Sequence, residues 1–380
     1  MRILWNELKK ILTWKMLLLL AVVNSILFFL FIEFYIEYFP NGRPGLDNYN
    51  ISIEVLEKYG MEIDEEEFVD FKETYATEVK KVDDYLQTRK EFIDSGLLSY
   101  EDLRNYKADD EEVDALIWGL YEGEIGDTIW ELQSREYFIE LYKSDETTLD
   151  RWLDGEKSVS QQERIDELKK TGQLPVFPDV ALDNFKAFIV NVAIAIIFSV
   201  VIIISPVFIK DRLGQILAMQ YTTKKGRSLY KKKVAAGFIS TFLVITILLG
   251  IYFSLYTLNN TSMFFDIPIH KFGSSFHWYD PTFFQYIILT VIAIYILGFA
   301  TAFFAMSFSS IVPNYISLIG IQIPYVFLII ALGINYLVNW IISISLPKWL
   351  LPVSYSGLVV AGILFIVLMW KREQKRDIML

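Results

Sequence analysis

The chain has 380 residues, is 53% hydrophobic with a mean hydropathy of +0.36, and contains no cysteine. That balance is too apolar for a soluble globular domain, and the missing thiols exclude disulfide frameworks, thiolate metal sites and cysteine nucleophiles. The net charge of −11 averages two unlike parts: residues 39–184 hold 38 acidic and 16 basic side chains, and the remainder holds 8 and 19, so an acidic polar domain is inserted into a basic membrane protein.

The N-terminal stretch MRILWNELKKILTWK places Ile3, Leu4, Leu8, Ile11 and Leu12 on one helical face and Lys9, Lys10 and Lys15 opposite. This is the pattern of an interfacial elbow helix. The apolar run at 16–38 is too long for a signal-peptide core and lacks a small-residue cleavage site, so it reads as a retained transmembrane helix 1. Residues 1–38 therefore form the elbow and first span. Residues 39–184 form an acidic helical extracytoplasmic domain.

Within that domain, apolar residues at 68, 71, 75, 79, 82, 86 and 93 predict a long helix near a seven-residue repeat. Gly96 supplies a stop. Ser99-Tyr-Glu-Asp102 and Ser160-Gln-Gln-Glu163 predict capping boxes. Gly172 and Pro175 close the last helix. The acid runs at 65–67 and 109–112 lack the D-x-D-x-D-G frame of a Ca²⁺ loop and read as helix N-terminal turns or solvated faces.

Residues 185–380 carry transmembrane helices 2–6, at about 185–209, 234–256, 281–306, 315–337 and 353–370, each close to the roughly 20 residues that cross a bilayer core. Residues 338–352, broken by Pro347 and Pro352, predict re-entrant or interfacial helices between spans 5 and 6. The fold class is an all-α polytopic membrane protein. Lys and Arg concentrate at the N-terminus, in the loop 210–233 and in the tail KREQKRDIML. With an even number of spans, both termini are cytoplasmic and residues 39–184 extracytoplasmic, in a multi-pass protein of a bacterial plasma membrane.

The loop 210–233 holds eight Lys/Arg against one acid, Asp211. Leu213, Ile216, Leu217 and Tyr221 fall at helical spacing, which predicts an amphipathic helix along the inner face. Orientation alone needs the charges but not this punctuation. Asp211, Arg212, Gly214, the apolar Ile216 to Met219, the Thr222-Thr223 turn, Arg227 and Lys233 follow a recognisable order. In this loop and in its six-span layout the chain resembles the membrane subunits of ABC exporters of the ABC-2 class, also called type V. The proline usual in the turn is replaced by Thr-Thr-Lys-Lys, and the acid is Asp where Glu is commoner.

The resemblance implies a permease without catalytic activity of its own. It implies a coupling helix driven by cytosolic ATPase subunits, which would bind the ATP and Mg²⁺, and a second permease, the same or related, meeting this one through spans 1 and 5. No cofactor on this chain and no nucleic-acid partner are expected. The chain itself lacks a G-x-x-x-x-G-K-[ST] phosphate loop, so nucleotide chemistry belongs to another chain.

Asn24, Asn191 and Gln322 are polar residues within spans, candidates to line a path or to bond across helices. No ionised residue falls at mid-bilayer in spans 3–6, which argues against ion-coupled transport. His270 and His277 are the only histidines, with no H-E-x-x-H and no evident triad, which argues against a membrane hydrolase. A hydrophobic or amphipathic cargo (peptide, antibiotic or lipid-like) suits spans with few fixed charges. The alternative is an ABC-type sensor or regulator that moves its outer domain rather than cargo. Protease added to intact cells is expected to cut within residues 40–184; full protection of that segment overturns the topology.

Overall fold

The computed structural model describes residues 2–107, 110–143, 158–171, 175–216, 226, 229–273 and 276–375. Among these the chain is helical, without strands, and six helices are long and apolar enough to cross a membrane: Trp14–Ile32, Val180–Leu213, Leu229–Asn259, Phe283–Ile311, Tyr315–Asn339 and Leu350–Lys375, here spans 1 to 6. The chain forms two compact units, one of Met1–Tyr38, Asn184–Asp266 and Phe276–Leu380, the other of Phe39–Asp183 and Ile267–Ser275.

In the first unit the N-terminal helix Arg2–Ile11 is separate from span 1, whose own helix opens at Trp14 with Thr13 as N-cap. The predicted apolar face is only partly right. Glu7 and Ile11 are the buried residues, while Ile3 is exposed, because this helix packs on the start of span 3. Spans 2 and 4 are the most enclosed, and spans 1, 5 and 6 bury less than a quarter of their most apolar windows. Close approach between spans 3 and 4 depends on glycine: a Cβ at Gly298 would lie 2.5 Å from Ile245 Cδ1, and one at Gly237 would lie 2.6 Å from Met306 Sδ. Small residues at such crossings let helices associate where lipid is as apolar as leucine.

The predicted re-entrant helices do not form. Residues 340–349 hold turns and no helix. Their backbone is instead taken up by the loop before span 4: Trp278 N–H donates to Ile342 O at 2.8 Å, Ile344 N–H to Phe276 O at 3.1 Å, and Trp278 Nε1 to Leu346 O at 2.9 Å. Ile341, Ile344 and Leu346 are buried there. The apolar character that suggested a membrane helix serves packing against this loop, and β-branched residues with Pro347 favour the irregular path.

In the second unit the predicted repeat buries Phe68, Phe71, Val82 and Leu86, with Tyr75 and Val79 packed beside them. The helix Glu65–Gln87 stops earlier than its pattern suggests. A break at Thr88 and Arg89 starts a new helix, Lys90–Asp94, and shifts the register by one, so Phe92 is buried and Ile93 exposed. Gly96, at φ +77°, then closes that helix; Leu97 N–H donates to Phe92 O at 2.9 Å and Gly96 N–H to Ile93 O at 3.1 Å, a Schellman closure.

The acid runs sit at helix starts. Asp64 and Glu67 make a reciprocal capping box ahead of Glu65–Gln87, and Asp110 caps Glu111–Glu122, where carboxylates meet the positive helix end. Asp109 and Gly172 lie outside the described residues. Ser99 caps Tyr100–Asn105 as expected. The later capping pair is Ser158 with Gln161, two residues before the predicted one.

The unit's main buried cation is Arg135, 6% exposed, held by both oxygens of Glu54 at 3.0 and 2.6 Å. Arg135→Ala is expected to lower stability by roughly 2 kcal/mol, the scale of a charge-assisted pair. Loss of hydrogen-exchange protection along Gly126–Tyr142 would report it; unchanged protection would show that the pair is dispensable.

Candidate coupling site at the charged end of the helical bundle

Span 2 does not run straight into the basic loop. Its helix Val180–Ile204 gives way at Ser205 to a second helix, Pro206–Leu213, with Pro206 at the first position. Proline is at home there because it lacks the amide that a helix start would leave unpaired. Two amides of its first turn also receive a partner from another helix. Ser309 Oγ on span 4 accepts from Phe208 N–H at 3.2 Å and Ile209 N–H at 3.1 Å, and donates to Ser205 O at 2.6 Å. One hydroxyl thus caps the break in trans.

The helix Pro206–Leu213 carries three of the predicted site residues, and its two charged ones, Asp211 and Arg212, bond different partners. Asp211, 4% exposed, pairs with Lys233 Nζ of span 3 at 2.6 Å, and Lys233 is 3% exposed. Lys10 of the N-terminal helix approaches the same carboxylate at 3.6 Å and Glu7 at 2.8 Å. Burial opposes the Lys10 charge, but the hydrogen bond and charge of Glu7 and the charge of Asp211 outweigh it and raise its pKa. Lys233 also lies 5.5 Å over the Phe208 ring. Arg212 turns the other way, and its guanidinium donates to the carbonyls of Ser310 and Val312. These belong to the end of span 4, where helix carbonyls lack partners and a cation is favoured.

Gly214 caps the helix, and Gln215 follows at φ +53°. Leu213 and Ile216 are exposed, at 48% and 40%. They are therefore separated by a turn and do not share the continuous amphipathic helix predicted from their spacing. Leu217, Tyr221, Arg227 and the Thr222-Thr223 turn lie outside the described residues.

Two of the three polar span residues bridge helices. Asn24 Nδ2 donates to Ser199 Oγ on span 2 at 2.8 Å and to Leu20 O at 2.9 Å, and its Oδ1 accepts from Tyr252 OH on span 3 at 2.9 Å. It lines an apolar cleft of about 450 Å³ between spans 1 and 3. Gln322 Oε1 accepts from Ser205 at 3.0 Å, and its Nε2 has no hydrogen-bond partner among the described residues. It lines a cleft of about 490 Å³ between spans 2 and 5, with Phe198, Val201, Tyr315 and Phe327. Asn191 Nδ2 donates within its own helix, to Ala187 O at 2.9 Å.

The charges of this end were legible in the sequence, but Ser205, Pro206, Ser309, Glu7 and Lys10 were not picked out as site residues. Ser-Pro inside an apolar run is the one local signal of the break. Among the described residues no group of three or more His, Asp or Glu is placed to hold a metal ion. Comparison with protein-family models, with curated proteins and with solved structures finds no match for this chain.

Asp211→Ala leaves Lys233 buried without its counter-charge and is expected to cost about 3–5 kcal/mol. Replacing both residues with leucine is expected to restore most of that stability. Unfolding of detergent-solubilised protein measures both, and a single substitution as stable as the parent refutes the pairing.

Proposed function

We propose that this chain is the membrane subunit of an ATP-driven exporter of the ABC-2 class, which takes force from separate cytosolic ATPase subunits. The observation that carries the proposal is the helix Pro206–Leu213. It bonds directly to span 3 through Asp211, to span 4 through Arg212 and the Ser309 hydroxyl, and to the N-terminal helix through Lys10. Ser205, at its start, bonds span 5 through Gln322. At its end and just past it lie the exposed Leu213 and Ile216. An ATPase that grips those two side chains pulls on a segment to which four other elements are tied. A tightly packed, bonded assembly transmits such a displacement as a body rather than absorbing it.

The cationic end faces the cytosol by the positive-inside rule, with the N-terminal helix as the elbow and the acidic unit outside. The cleft between spans 2 and 5, apolar with one unsatisfied amide, suits a hydrophobic or amphipathic cargo bearing a polar group. Spans 1 and 5 carry outward side chains such as Phe29 at 65%, Ile316 at 84% and Phe327 at 72% exposure, which lipid or a second permease would cover.

The test is co-expression with the partner ATPase and reconstitution. Leu213→Glu with Ile216→Glu is expected to abolish co-purification of the ATPase while membrane insertion is retained; undiminished co-purification refutes the docking role. ATP-dependent cargo flux supports export. ATP-driven change in the acidic unit without flux supports the sensor reading instead.

A further inference from the structure

The charged end of the bundle has a one-signed surface that its composition does not reveal. Its acids among the described residues are Glu7, Asp211 and Glu373, and all are buried, at 6%, 4% and 7% exposure. Glu7 and Asp211 are bound to lysines, Lys10 and Lys233, at 2.8 and 2.6 Å. The bases Lys9, Lys210, Lys231, Lys232, Lys371 and Arg372 are exposed. Folding therefore withdraws the negative charge and leaves the positive charge outside.

Tryptophans accompany these bases. Trp5 and Trp14 are 59% and 70% exposed. Lys9 Nζ lies 5.4 Å over the Trp5 ring, and Lys231 Nζ lies 4.1 Å over the Trp370 ring. Trp14 is the first residue of the span 1 helix, so its exposed indole stands where the apolar span begins. Indoles concentrate at the headgroup level, and an ammonium held over such a ring is kept at that depth.

We infer that this collar binds anionic phospholipid headgroups selectively, and that the paired Lys9–Trp5 and Lys231–Trp370 side chains are its contact points. The exposed indoles distinguish a lipid occupant from an acidic soluble partner. Each needs an apolar medium for the ring beside an anion for the lysine, and a bilayer rim of phosphate over acyl chain provides both. Each lysine adds attraction that acts only within a Debye length of the surface. The inference does not depend on the exporter reading, because it concerns this chain alone in a bilayer.

The experiment places the full-length chain, without an ATPase, in nanodiscs of mixed phosphatidylcholine and phosphatidylglycerol and measures the lipid retained on gentle detergent extraction. The parent chain is expected to retain phosphatidylglycerol at about threefold or more above its bulk fraction. Lys9→Gln, Lys231→Gln and Lys232→Gln together are expected to bring that close to the bulk fraction. The same number of changes in the acidic unit, Lys72→Gln, Lys80→Gln and Lys90→Gln, is expected to leave the enrichment intact. Melting in pure phosphatidylcholine checks that the collar variant is folded; if it is not, Trp5→Ala with Trp14→Ala is measured in its place, with at least a halving of the enrichment expected. No enrichment by the parent, full enrichment by the folded collar variant or its substitute, or equal loss in the control overturns the inference.

Discussion

A carboxylate and an ammonium shut away from water at the end of a helical bundle set the terms for the rest of this structure. Asp211 and Lys233 stand on either side of the basic loop and are each nearly inaccessible. Removing two such charges from water is costly, and the cost is met only if the geometry holds. The pair therefore fixes the start of span 3 against the end of span 2 more stringently than apolar contact would. Lys10 joins the same carboxylate, which ties in the N-terminal helix by the same constraint. Arg212, one residue on, ties the end of span 4. Adjacent residues on a helix point about 100° apart, so one acid and one base can serve two different neighbours.

The two units manage charge in opposite ways. In the acidic unit, carboxylates are placed at helix starts, where unpaired amides receive them, as at Asp64 and Asp110. Its principal buried cation, Arg135, takes both oxygens of one glutamate. At the charged end of the membrane unit, the acids among the described residues are internal and most of the bases external. A formal charge summed over the chain hides both arrangements.

Much of this could be read from the residues. The six apolar runs, the inserted acidic segment, the repeat through Phe68, Phe71, Val82 and Leu86, and the caps at Ser99 and the acid runs follow from composition and periodicity. So do the candidate charges Asp211, Arg212 and Lys233. What could not be read depends on contacts distant in sequence. Ser309 caps a helix a hundred residues away, and nothing around it differs from a serine that bonds its own turn. The stretch 340–349 is apolar enough for a membrane helix, and only its pairing with 276–278 makes an irregular path cheaper. The slip from Ile93 to Phe92 arises because a helix breaks at Thr88, where the pattern alone continues. The interruption between Leu213 and Ile216 escaped for a similar reason, since helical spacing carries no information about the turn that Gly214 and Gln215 impose.

The trans-capped joint in span 2 constrains how the segment beyond it can travel. The Ser309 hydroxyl has a single proton, given to Ser205 O, and its lone pairs receive Phe208 and Ile209. All three bonds radiate from one oxygen. Twisting or sliding the half-helix by even one residue would bring different amides to that oxygen and forfeit the set, and Pro206 offers none in exchange. Swinging about the oxygen lengthens the bonds only slightly. The joint is thus anchored at one oxygen, and rotation or sliding of the half-helix would cost more of these bonds than a tilt about that point.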